Sequence, residues 1–197
     1  MPRNIDTEER KRLIAKTVWD LVATSGLKSA TVRNIAEASH LSVGSVQHVF
    51  KSTKDIYLFA MNQAVENAAT RIDAVSTYSN DPLTMVERTL LELLPLDETR
   101  EAEARTWLAF TAEALVDRSL AETSAAMQAL LRNTARSCIE SLIAAGLMRV
   151  DLDIELEASS LQAFVDGLTL QILAAPATMS RPKANEALRA YLQKLCT

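Results

Sequence analysis

The sequence predicts an all-α protein of about nine helices, divided into a short N-terminal part and a larger C-terminal one. Three observations carry that prediction. Only four glycines and five prolines punctuate 197 residues, too few for the frequent turns of a sheet-rich fold. Apolar residues recur at helical spacing, with abundant Ala and Leu and no strand-like alternation. Helix start and stop signals follow one another along the whole chain, with no internal repeat or low-complexity segment between them.

Each element has its own signal. Asp6 caps the first helix with Glu9 as capping-box partner, and Leu13, Ile14, Thr17, Val18, Leu21 and Val22 form its apolar stripe. Gly26 closes it, because a helix end needs a residue that tolerates positive φ. Thr31 caps a short second helix through about Ala38, with Ile35 and Ala36 facing inward. Ser42 caps a third through about His48, and Ser52 with Asp55 opens a long fourth helix reaching about Tyr78. Asp81-Pro82 joins an N-cap to a proline at the first helical position. Helices follow over 82–94, 98–117, 120–145, 153–175 and 181–195, with Gly146 ending one and Ser180 and Pro182 starting the last.

Charge separates the two parts. The chain carries a net −4, which taken alone argues weakly against a nucleic-acid partner. Residues 1–54 hold nine Lys/Arg against five Asp/Glu, a surplus of +4; the remainder holds 12 against 20, a deficit of −8. A basic head on an acidic body is the first functional clue. Cys138 and Cys196 make neither a disulfide framework nor a metal knuckle and suit a reduced compartment. Met1-Pro2-Arg3-Asn4 does not look like a signal peptide. The longest apolar run, Leu161 to Ala175, is interrupted by Asp166 and Gln171 and falls short of the ~20 residues of a bilayer span. The chain therefore reads as cytoplasmic, with no membrane partner.

The head has the proportions of a helix-turn-helix. One helix of about twenty residues precedes two short ones, and short helices are stable only when packed. Ile35, Ala36, Leu41, Val46, Val49 and Phe50 supply the anchors. The outward residues Ser42, Val43, Gly44, Ser45, Gln47 and His48 are small or polar, as a helix lying in the major groove requires. Gly44 costs about 1 kcal/mol against Ala inside a helix, and close approach to DNA would account for it. Arg33, Lys51 and Lys54 add positive charge for phosphates, and the helix start at Ser52 offers free N–H groups.

The stretch from Thr31 to Met61, TVRNIAEASHLSVGSVQHVFKSTKDIYLFAM, resembles the TetR family of bacterial transcriptional regulators. The agreement runs through Thr31, Arg33, Ile35, Ala36, Ala38, Leu41, Ser42, Gly44, Ser45, Val46, Phe50, Ser52 and Ile56. His40 stands where the family's turn usually has Gly, Gln47 where it often has Tyr, and Thr53 where its helix-four Lys usually sits. In the C-terminal part, WLAFTAEAL (107–115) and FVDGLTLQIL (164–173) followed by Ala175-Pro176 are similar to the branch containing choline- and betaine-type repressors.

The resemblance implies a DNA-binding domain over 1–54 and a ligand-binding and dimerisation domain over 55–197. It implies double-stranded DNA as partner, bound at a near-palindromic operator by a homodimer through Thr31, Arg33, Ser42, Val43, Gly44, Ser45, Gln47, His48, Lys51 and Lys54. It implies a small-molecule effector, for which Met85, Arg105, Trp107, Phe110, Met127, Phe164 and Gln171, with Glu113 nearby, are the expected contacts. It places the dimer interface on the last two helices, at Leu161, Phe164, Val165, Leu168, Leu188, Tyr191 and Leu192, with Gly167 permitting close approach.

Catalytic and metal chemistry find little footing. Glu37-x-x-His40 is half of a di-iron motif, but a carboxylate-bridged site needs two such pairs and the chain has only two histidines. No phosphate loop, dinucleotide glycine pattern or nucleophile elbow occurs, and Ser137-Cys138 lies on an apolar helix as a structural thiol would. No catalytic residue, metal or cofactor is expected, and the chain reads as a non-enzyme. The function expected is a ligand-responsive repressor. A DNA-binding regulator or adaptor without an inducer, or a small helical enzyme, are the alternatives; the former would have a filled C-terminal core.

Overall fold

The computed structural model describes residues 7–75 and 79–196. Among the described residues there are nine α-helices and no strand: α1 (Thr7–Ser25), α2 (Val32–Ala38), α3 (Val43–Val49), α4 (Thr53–Val75), α5 (Pro82–Leu91), α6 (Glu98–Ala114), α7 (Ala121–Ala144), α8 (Ile154–Ala174) and α9 (Arg181–Leu195). Short 3₁₀ turns at Leu27–Ser29 and Arg118–Leu120 add to the expected elements. The cap expected at Asp6 and the helix end expected at Tyr78 lie outside the described residues.

The expected caps act at the backbone. The Thr31 hydroxyl accepts from the Asn34 N–H at 3.2 Å, Ser42 from Ser45 at 3.0 Å and Ser52 from Asp55 at 3.1 Å. Asp81 accepts from the Thr84 N–H at 2.8 Å, and the side-chain and backbone bonds of Thr84 together hold its carboxyl below the usual range. Two helices end earlier than periodicity predicts. At the end of α5 the Leu93 and Leu94 N–H groups turn back to the Leu90 and Leu91 carbonyls, the tightening that precedes Pro95. After α6 the Asp117 carboxylate accepts from the Ser119 N–H at 2.8 Å and starts the second 3₁₀ turn.

The chain divides into two compact units. The first comprises residues up to Asn67 together with Ala102–Leu120; the second comprises Ala68–Glu101 and the residues from Ala121 onward. In the first, α1 contributes Ile14, Ala15, Val18, Trp19 and Val22 to a core completed by Ala30, Ile35, Ala36, Val46, Phe50, Ile56 and Ala60. The Trp19 indole N–H donates to the Ala60 carbonyl at 3.2 Å, so its polar edge is satisfied inside that core. In the second, Val86 and Leu90 of α5 pack with Ile139 and Leu142 of α7, Leu161 and Leu168 of α8, and Leu188 and Leu192 of α9. Cys138 joins this core, and burial pushes its thiol up to about 12, where it is inert.

Candidate nucleic-acid interface

Helices α2 and α3 are each seven residues long, below the length at which an isolated helix persists, so their packing fixes them. Ile35 and Ala36 anchor α2; Val46 anchors α3, and Phe50 at its end packs tilted against Phe59 with ring centroids 5.4 Å apart. The turn between them is a Schellman motif. The Leu41 N–H donates to the Ala36 carbonyl at 2.9 Å and the His40 N–H to the Glu37 carbonyl at 3.1 Å. His40 takes φ 55°, the left-handed region the turn demands and in which a side chain bearing Cβ is strained.

This locking leaves one arc of α3 outward. Val43, Gly44, Gln47 and His48 are exposed, and Ser45 is half-buried with its hydroxyl 2.8 Å from that of Ser42. A Cβ added at Gly44 would meet only the Ser42 hydroxyl, at 3.8 Å, so among the described residues nothing requires glycine there. Thr31, Arg33 and Lys51 are also exposed. The side chains of Arg33, Gln47, His48 and Lys51 make no hydrogen bond or ion pair with other described residues, which leaves a polar and basic surface with its hydrogen-bonding groups free.

Lys54 differs. Its amine donates to the Ser119 carbonyl at 2.7 Å, within the 3₁₀ turn that follows α6. The Asp117 carboxyl is lowered chiefly by its bonds to Ser119, with the Lys54 charge adding to them. The Tyr57 hydroxyl, one turn along α4, lies 3.0 and 3.1 Å from the Leu27 and Ala30 carbonyls, and its pKa is raised by burial and by Glu113. The first turn of α4 is therefore tied on one side to the α1–α2 connection and on the other to the end of α6, all within the first unit.

Comparison with known proteins now decides the family. Residues 82–197 match the model of the BetI-type transcriptional repressor C-terminal domain. The chain belongs to the TetR family of transcriptional regulators. It is 29% identical over 196 residues to the HTH-type transcriptional regulator PksA of Bacillus subtilis (strain 168), covering 100% of this chain and 94% of that one. The structure of a transcriptional regulator from Rhodococcus sp. Rha1 aligns with a TM-score of 0.80 and 30% identity over 94% of this chain and 95% of that one. A regulator from Saccharomonospora viridis, solved in complex with choline, aligns with a TM-score of 0.77 and 26% identity over 94% and 96% of the two chains.

The remaining expected residues of this TetR-family chain are distributed as follows. Arg105, Trp107 and Phe110 belong to the first unit; Met85, Met127, Phe164 and Gln171 to the second. Phe110 and Met127 are buried, Met85, Arg105, Trp107 and Phe164 half-buried, and Gln171 is exposed on α8. None of them lines the cleft of about 800 Å³ in the second unit. That cleft is walled by charge: the Glu92 carboxylate takes Arg71 at 3.2 Å and Arg100 at 3.1 Å, and Arg100 also pairs with Asp97 at 2.9 Å.

The residues expected at an interface on α8 and α9 fall into two sets. Leu161, Val165, Leu168, Leu188 and Leu192 are buried in their own unit's core. Phe164 and Tyr191 stack on each other with centroids 4.1 Å apart and are half-buried. A second stripe on α8 faces out instead: Leu156, Ser160, Ala163, Leu170 and Ala174 are exposed, with Gly167 half-buried among them. Their spacing alternates four and three, the repeat of a helix–helix seam. Leu156 and Leu170 are 61% and 53% exposed.

Buried polar groups were the features that pattern reading passed over. Glu103 and Thr106 share the buried face of α6 with Phe110, and the Glu103 carboxylate accepts from the Asn67 side chain at 2.8 Å. On α8, Gln162 is buried, donates to Gln128 at 2.6 Å and accepts from Arg132 at 3.3 Å. The usable signal was a polar residue placed in register with an apolar stripe, as Gln162 is with Ala158 and Val165.

Proposed function

We propose that this chain is a dimeric repressor that leaves a near-palindromic double-stranded operator when a small effector binds to its C-terminal part. The observation that carries the DNA half is the outward arc of α3, on which Gln47 and His48 are exposed and unengaged by other described residues, on a helix locked from behind by Val46. In this reading Gln47 bonds an adenine edge or a phosphate, His48 lies beside it, and Gly44 lets the backbone approach the groove. Arg33 and Lys51 hold phosphates, assisted by the Thr31, Ser42 and Ser45 hydroxyls, which fix the register of the helix. Lys54 is assigned a different role, because its amine is already held by the Ser119 carbonyl.

A single seven-residue helix reads too little DNA for specificity, so two copies act together. We assign their contact to the outward α8 stripe of Leu156, Ala163, Gly167 and Leu170, where the small residues permit close approach. Residues 1–54 act as the DNA-binding domain and 55–197 as the effector and dimerisation domain, in the cytoplasm.

The effector half rests on the family and on α6. Glu103 and Phe110 occupy one buried face of that helix, a carboxylate and a ring of the kind that hold a quaternary ammonium. With the choline complex of the Saccharomonospora viridis relative, this makes choline the first compound to try. Binding acts by population shift: the effector favours a conformer whose two recognition helices no longer match successive major grooves. Helix α4 is the lever, since it starts beside α3 and continues to Val75.

The test is a mobility shift with the DNA upstream of the protein's own gene at low salt. Retardation that weakens steeply as salt rises is expected, and no shift at any salt overturns the reading. Choline, then a wider metabolite panel, should raise the melting temperature and release the DNA. A shift that no compound releases would favour the regulator without an inducer.

A further inference from the structure

Among the described residues of the first unit three large apolar side chains are exposed, and one of them, Val43, stands on the outward arc of α3. It is 43% exposed and lies one helical turn before Gln47, with Gly44 between them. Its neighbours on the arc are polar or lack a side chain, so no other apolar group of that arc accounts for it. Val46, three residues on, faces the core and cannot share its surface. Isolated exposed valines are common, but this one is on the face proposed above to enter the major groove. There the bases display a single apolar group, the 5-methyl of thymine, among donors and acceptors.

We infer that Val43 reads a thymine methyl, making it a specificity-determining residue of the operator interface. The inference rests on the DNA-binding reading and deepens it. Val43 is β-branched and holds few rotamers, so its methyl groups are presented at little entropic cost. Gln47 occupies the same side of the helix and contributes hydrogen bonds, which do not distinguish thymine from uracil; Val43 contributes the contact that does. Each operator half-site should therefore hold one thymine whose methyl contributes to binding.

Duplexes enriched from a random pool by the full-length dimer provide the test. Each thymine of a half-site is replaced in turn by deoxyuridine, which removes the methyl and keeps the pairing. At one position per half-site the substitution should weaken binding about fourfold, the value of one buried methyl. Val43→Ala should bind the thymine and uracil duplexes equally. Gln47→Ala should bind more weakly overall yet retain the preference, and so confirms that the assay reads Val43. Uracil insensitivity at every position, or a preference that survives in Val43→Ala, overturns the contact while leaving DNA binding intact. Failure to enrich any duplex overturns the DNA-binding reading, and this inference with it.

Discussion

Helix α3 has seven residues and buries only Val46, whereas α8 has 21 and buries seven, so the two are held in place by different means. The first depends on its neighbours and on the turn before it. The second is part of the core it helps to build. Both nonetheless keep a face outward, and the chemistry of that face separates them. On α3 it carries amide, imidazole, glycine and the single valine Val43; on α8 it carries leucine, alanine and glycine. A partner with a charged, hydrogen-bonding surface suits the first, and a second copy of the same apolar seam suits the second. Hydrophobicity alone marks neither face, because the most hydrophobic positions of α8 are already covered.

The largest effect should come from the buried stripe. Leu161→Ala is expected to lower stability by about 2–5 kcal/mol in thermal or denaturant unfolding while the protein remains a dimer. A variant that melts normally and runs as a monomer would return Leu161 to the interface. Leu170→Arg addresses the outward stripe. It should dissociate the dimer in sedimentation and weaken operator binding by on the order of a hundredfold, with the protomer's helical content retained. If it stays dimeric at micromolar concentration, the seam lies elsewhere.

The two cations flanking α3 sharpen the comparison further. Arg33→Ala should reduce the slope of log affinity against log salt by about one per protomer with little change in melting temperature. Lys54→Met should leave that slope unchanged, since its amine is engaged by the Ser119 carbonyl. A reduced slope would show that the amine reaches phosphate after all. The smallest effect concerns the turn. His40→Gly should raise stability by about 0.5–1 kcal/mol by relieving a left-handed residue that bears a Cβ. A loss of stability would mean that the imidazole contributes more than its backbone strain takes away.

That turn also separates what consecutive residues carry from what the tertiary structure adds. The end of α7 uses the same Schellman motif, with the Gly146 N–H on the Ile143 carbonyl and the Leu147 N–H on the Leu142 carbonyl, each at 2.9 Å. Gly146 announces it in the sequence; His40 conceals it, and only the resemblance of the surrounding residues points to the turn. Caps, by contrast, were legible almost throughout. Ser, Thr and Asp at helix starts bond the backbone three residues on whatever the rest of the chain does. The buried bonds of Glu103 and Gln162 were not legible, because a polar residue on a helix gives no hint of which neighbour will satisfy it.

The sequence by itself determined the all-helical class, the start of each capped helix among the described residues, the family of the N-terminal segment and the basic-over-acidic division. These depend on local backbone chemistry and on composition, both of which are written in consecutive residues. Tertiary structure decided which apolar stripe of α8 is core and which faces out, where the Lys54 amine goes, and that residues 102–120 pack with the head. Periodicity identifies that a helix has an apolar face but not what covers it, and a flexible amine bonds whichever carbonyl the fold brings near. The roles proposed for Val43 and Leu170 rest on exposure, a property that no stretch of sequence carries alone.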